Sequence, residues 1–158
     1  MYPKPKAITL LNQTKSVFLR SLREPRDNQL ELILEEALVK EARRGEAPRR
    51  GELPESLFSK LGLAQIESVD GCLVYRLFWQ HYAAYLVTEE LVGSNGQYDD
   101  EQYQGTILRS YLKSHFLEHF ARDTGCHSGP LQHYKIVCLN HLIDVAADAP
   151  PEVEIIST

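Results

Sequence analysis

The chain has 158 residues, of which 43% are hydrophobic and 25% charged, with 17 basic and 22 acidic side chains and a net charge of -5. That length is typical of one domain with a real core, and the composition is that of a folded soluble protein. The acidic balance argues against broad nucleic-acid binding, and no apolar run approaches the roughly 20 residues that span a bilayer.

The N-terminal M-Y-P-K-P-K-A-I-T-L-L-N starts basic but offers few apolar residues before Asn12. A secretory signal needs an apolar stretch of about 7–15 residues, so the expectation is a cytoplasmic chain that starts near Met1. Cys72, Cys126 and Cys138 form an odd, widely spaced set, which predicts reduced thiols rather than a disulfide framework.

In Q-L-E-L-I-L-E-E-A, the leucines at 30, 32 and 34 alternate with Glu31 and Glu35, the period of a half-buried strand. The turn-rich S-L-R-E-P-R-D-N before it lets S-V-F-L-R-S-L pair back as an antiparallel strand. Lys40 to Pro54 follows, with four arginines, two glycines and two prolines. It is expected to be a mobile solvated loop, at most a basic handle for an acidic partner. Pro54 to Leu61 is expected to form a short helix stopped by Gly62.

Asp70-Gly71 is a turn signal between I-E-S-V and C-L-V-Y-R-L-F-W. In the second run Leu73, Tyr75, Leu77 and Trp79 share one strand face. Y-A-A-Y-L-V-T-E-E-L resumes as another strand. Thr106 to Arg122 reads as one long helix with a stripe of Leu108, Tyr111, Leu112, Phe116 and Phe120. The segment Y-K-I-V-C-L-N-H-L-I-D-V is taken as a strand ended by Pro150-Pro151. On it His141 shares a face with Leu139 and Ile143, while Asn140 and Asp144 point the other way, so the three predict separate satisfied groups rather than one site. The fold class expected is α+β, a single domain over residues 1–158 with a mostly antiparallel β-sheet and one long helix packed on a sheet face.

The sharpest motif is H-F-L-E-H, His115 to His119, the H-x-x-E-H string of inverted zinc metallopeptidases. Two imidazoles four apart on a helix can share a metal, with the intervening Glu as base. Those enzymes are far larger and take a third ligand from a later helix, whereas only 39 residues follow His119 here. On the helical wheel both histidines fall inside the apolar stripe beside Leu112, which predicts buried, hydrogen-bonded core histidines. A zinc could also recruit His141, His133, Cys126 or Cys138, although no Cys-x-x-Cys spacing supports such a site. Trp79, Tyr82 and Tyr85 are the candidate partner-binding aromatics. There is no G-x-S-x-G, phosphate-cradling Gly loop or dinucleotide fingerprint.

The succession G-C-L-V-Y-R-L-F-W-Q-H-Y-A-A-Y-L-V-T-E-E, R-S-Y-L-K-S-H-F-L and H-Y-K-I-V-C-L-N-H-L-I-D-V resembles a family of small uncharacterised bacterial proteins. The resemblance covers the last two thirds of the chain and implies a compact bacterial domain, with no chemistry attached. The functional expectation is a non-enzymatic binding or protein-interaction domain of accessory or immunity type. It would act on a protein partner or as a homodimer, without cofactor, nucleic acid or membrane. The rival expectation is a metal-dependent hydrolase holding zinc with His115, His119 and His141.

Overall fold

A computed structural model describes residues 4–39, 66–67, 71–89, 100–125 and 129–156. The segment 40–54 and the helix expected over 54–61 lie outside them. The chain opens with a helix, Lys4–Gln13 (α1), that the sequence reading did not anticipate. Ala7 and Leu11, four apart and therefore on one face, are buried in the core.

Strands Val17–Arg23 (β1) and Leu30–Glu36 (β2) form the expected antiparallel hairpin. Asn28 takes a positive φ of 63° in its turn, a conformation that Asn tolerates better than most residues. Leu30, Leu32 and Leu34 are fully buried, as their alternation requires. Two-residue strands Leu38–Val39 (β3) and Ile66–Glu67 (β4) pair with each other. Val74–Trp79 (β5) lies between β2 and the last strand, Glu152–Ile155, which makes a four-stranded sheet. The turn expected at Asp70-Gly71 lies partly outside the described residues; β5 takes β2 and β11 as its partners, and Tyr75, Leu77 and Trp79 share the buried face as expected.

The second sheet has five strands. Its order is Ala84–Glu89 (β6), His141–Ala147 (β10), Gln132–Val137 (β9), Leu108–Lys113 (β8) and Gln102–Gln104 (β7), and Glu152–Ile155 is β11. Every pairing in both sheets is antiparallel. Tyr134, Ile136, Ile143 and Val145 from this sheet join Leu32, Tyr75 and Leu77 from the first, and Ala7 and Leu11 from α1, in one hydrophobic cluster. The Trp79 and Tyr134 rings meet across it with centroids 6.2 Å apart. Asn12, at the end of α1, accepts the backbone N–H groups of Thr106, Ile107 and Leu108 at 2.9–3.0 Å. Gly105 permits that approach, since its φ is 96° and a Cβ there would sit 2.1 Å from the Leu108 carbonyl oxygen.

The architecture is thus α+β dominated by antiparallel strands, but the long helix is not formed. Residues 108–113 are a strand, Ser114 caps, and only His115–Thr124 (α2) is helical, closed by Gly125 in the left-handed region at φ 65°. The apolar positions 108, 111, 112, 116 and 120 satisfy a helical period by coincidence. As a strand, 108–111 sends Leu108 to the core and Tyr111 to the opposite face, where its ring stacks on His133. Leu112 is left 69% exposed. No residue of α2 is buried, so its wheel phase relative to a core does not arise. The segment taken as one strand near the C-terminus is two, β9 and β10, joined by a tight turn at Leu139-Asn140, and β10 stops before Pro150-Pro151 as expected. No helix among the described residues is long and apolar enough to cross a membrane.

Candidate functional site

The helix α2 carries the H-F-L-E-H motif outward. His115 is 36% and His119 72% exposed, which overturns the expectation of core histidines. His115 Nε2 lies 2.7 Å from Asp100 Oδ1, and Lys113 Nζ lies 2.7 Å from Asp100 Oδ2. The Lys113 bond, with His115 second, holds the Asp100 carboxyl down at about 2, and Asp100 in return raises His115. His119 Nε2 meets Asp123 at 3.2 Å. A shallow depression of about 230 Å³ runs along His115, Glu118, His119 and Arg122.

His141 does not join them. It sits at the start of β10 on the face shared with Ile143, the core side, whereas α2 packs on the other face beside His133. Its Nδ1 is buried without a hydrogen-bond partner. Among the described residues no group of three or more His, Cys, Asp or Glu side chains is placed to hold a metal. Burial pushes the Cys138 thiol up to about 12, which makes it a poor thiolate ligand. Cys126 lies outside the described residues.

A different constellation stands under α2. Ser114 Oγ is 2.7 Å from His133 Nδ1, and His133 Nε2 is 2.8 Å from Asp144 Oδ1. Three neighbouring strands position the group: Ser114 directly follows β8, His133 is on β9, and Asp144 is on β10. The His133 ring stacks on Tyr111, 4.2 Å between centroids, with Phe116 of α2 on it at 4.9 Å. An ionised Asp144 can only accept, so Nε2–H donates to it, and in the neutral imidazole Nδ1 then accepts from the Ser114 hydroxyl. Ser114 Oγ also accepts the Leu117 N–H at 3.1 Å, so it is the N-cap of α2.

The atoms resemble the proton relay of a nucleophilic serine, but the hydroxyl is committed at both ends. Ser114 is 6% exposed, and the neighbouring His115 N–H donates to Glu101 at 2.9 Å. The backbone donor nearest the serine thus already has an acceptor. The chain Leu117 to Ser114 to His133 to Asp144 is a fully satisfied buried tether that pins α2 to its sheet. Lys135 Nζ, 3.4 Å from Asp144, offsets the buried charge. Asn140 and Asp144 are each satisfied, as expected, whereas His141, expected to be satisfied on the opposite face, is not. The Asn140 amide accepts from the Leu19 N–H at 2.9 Å and donates to the Leu19 carbonyl at 3.0 Å.

The expected partner-binding aromatics divide. Trp79 is in the core, 1% exposed, and is no surface anchor. Tyr82 and Tyr85 are half-buried, edge to face at 5.1 Å, and both donate to Glu24, at 2.7 and 3.0 Å. That bond, followed by desolvation, pushes the Tyr82 phenol up to about 12. Tyr85 lies on β6, a strand whose edge differs from the other sheet edges among the described residues.

The two larger sheets have four edges, and three are blunted. β1 is broken by a bulge between Leu19 and Ser21, and at its start the Leu19 N–H and carbonyl are taken by Asn140 and the Val17 carbonyl by the Leu139 N–H at 2.8 Å. β11 is four residues long, follows Pro150-Pro151 and is packed by α1. β7 is three residues long with a bulge at Gln102-Tyr103. β6 instead keeps six consecutive pairs with β10, has neither Pro nor a basic residue, and exposes Leu86 at 51% and Val87 at 39%. Proteins normally protect such an edge, because its free backbone groups template another strand. The sequence signal was available in A-Y-L-V-T-E, a strand with one charge. Its position at an edge was not, because strand order is set by distant partners.

No family model, no curated protein and no solved structure matches this chain.

Proposed function

We propose that this protein is an interaction domain that works by accepting a strand at the β6 edge rather than by turnover. The unblunted six-residue edge with exposed Leu86 and Val87 is the observation that carries the reading. Strand addition supplies main-chain hydrogen bonds for affinity and alternate side chains for specificity. Leu86 and Val87, on opposite faces, would grip the incoming strand from both sides, and Tyr85 is held in place by Glu24. A reducing, cytoplasmic setting belongs to the same proposal and is supported by the buried Cys138 thiol. The metal-hydrolase alternative finds no comparable support, since His141 faces away from His115 and His119.

The test is a photo-crosslinking residue placed at position 86, irradiated in an extract of the source cells. An adduct to a protein chain, lost when Val87→Pro is added, is the expected result. No protein adduct, or one indifferent to Val87→Pro, refutes strand addition at this edge.

A further inference from the structure

The strand-addition reading leaves open what fills the edge. We propose that the occupant is β6 of a second copy of this chain, paired antiparallel about a two-fold axis through Leu86. The backbone phase comes from the β9–β10 hairpin. Cys138 N–H donates to the His141 carbonyl at 2.9 Å, so His141 directs its backbone groups toward β9. Alternation along β10 then turns Leu142, Asp144 and Ala146 toward β6, where they face Thr88, Leu86 and Ala84. The groups of Tyr85, Val87 and Glu89 therefore point outward, and among the described residues no strand pairs with them.

A two-fold axis normal to the sheet keeps each residue on its own face, so it must place like parity opposite like. With the axis at Leu86, the two Leu86 side chains oppose each other as a non-hydrogen-bonded pair. Tyr85 and Val87 then form the hydrogen-bonded pairs that flank it. Thr88 falls opposite Ala84, and Glu89 opposite Ala83. The most exposed apolar residue of the strand is thus covered by its own copy. Glu89 is the only charge in β6. The two Glu89 carboxylates end about 20 Å apart, six strand residues, which is beyond the screening length near 8–10 Å. Parallel self-pairing would set them side by side. Charge and apolar placement therefore both select the antiparallel two-fold, an isologous contact that closes at two copies and leaves no further β6 edge.

The experiment uses the full chain. Sedimentation velocity of the wild type should give a dimer at tens of micromolar. Leu86→Lys, which sets two ammonium groups on the axis at a solvent-exposed site, should give a folded monomer. Val87→Pro, which removes an outward N–H, should do the same, and Leu86→Lys alone keeps the test decisive should the proline disturb the fold. Non-hydrogen-bonded partners sit about 4.5 Å apart at Cα, within disulfide range. Leu86→Cys should therefore give a disulfide-linked dimer under mild oxidation, above any background from the wild type, whereas Thr88→Cys should not. A monomeric wild type, a dimer that survives Leu86→Lys, or crosslinking by Thr88→Cys in place of Leu86→Cys overturns the assignment. A monomer whose position 86 photo-crosslinks to a different protein overturns the second copy and leaves strand addition standing. A monomer with no adduct removes both.

Discussion

Asp144→Ala tests the buried tether most directly. The Asp144 carboxylate accepts the His133 Nε2 proton at 2.8 Å and neighbours Lys135 Nζ at 3.4 Å, in a site where His133 is 2% exposed. Removing it orphans a buried N–H and leaves the Lys135 ammonium without its counter-charge. Hydrogen bonds to charged groups contribute about 1.5–3 kcal/mol, and an orphaned buried donor costs about 1–3 kcal/mol as the same loss seen from its partner. A loss of about 3 kcal/mol is expected. Asp144→Asn keeps an acceptor for Nε2 and forfeits only the charge, so it should cost about 1 kcal/mol. In urea, with m near 2 kcal/mol/M, the midpoint should fall by roughly 1.5 M for alanine and roughly 0.5 M for asparagine. Circular dichroism across the transition measures both. An alanine variant within about 0.5 kcal/mol of wild type, inside the range of neutral surface changes, would show that the relay holds nothing together. Equal losses in the two variants would show that the hydrogen bond is not what matters.

The same tether predicts that an organophosphonate serine probe leaves Ser114 unlabelled, and that Ser114→Ala costs about 1 kcal/mol through its lost helix cap; mass-spectrometric labelling at Ser114 would instead make it a nucleophile. On the outer face of the first sheet, Glu31 is buried between Arg23 and Arg76, the latter at 2.6 Å, and those partners hold its carboxyl below its ordinary 4.5, Arg23 first. A depressed carboxyl stabilises the fold above that ordinary value and loses the contribution as pH falls through the folded value, so Glu31→Gln should flatten the acid limb of a stability–pH profile measured by urea titration. Equilibrium dialysis against zinc should give no stoichiometric site, and His141→Ala should not alter whatever weak binding His115 and Asp100 provide; one tight zinc per chain, lost in that variant, would restore the metal reading.

Much of the first half was legible in the amino-acid order because alternation is a local property. Leu30, Leu32 and Leu34, like Tyr75, Leu77 and Trp79, declare a strand and its buried face without reference to any partner. The turn around Asn28 was legible for the same reason, since it is a backbone preference of one residue. Residues 108–120 were not. Their apolar spacing fits a helix and a strand-plus-cap equally, and pairing of Leu108 and Tyr111 with Ile136 and His133 decided between them. Ser114, His133 and Asp144 are separated by 19 and 11 positions and carry no motif spacing, so only the order β8, β9, β10 brings them together. The standing of β6 as an edge has the same origin. A strand's own residues state which face is apolar, but its neighbours are chosen by long-range hydrogen bonding, and what remains unpaired is known only when every other strand has its place.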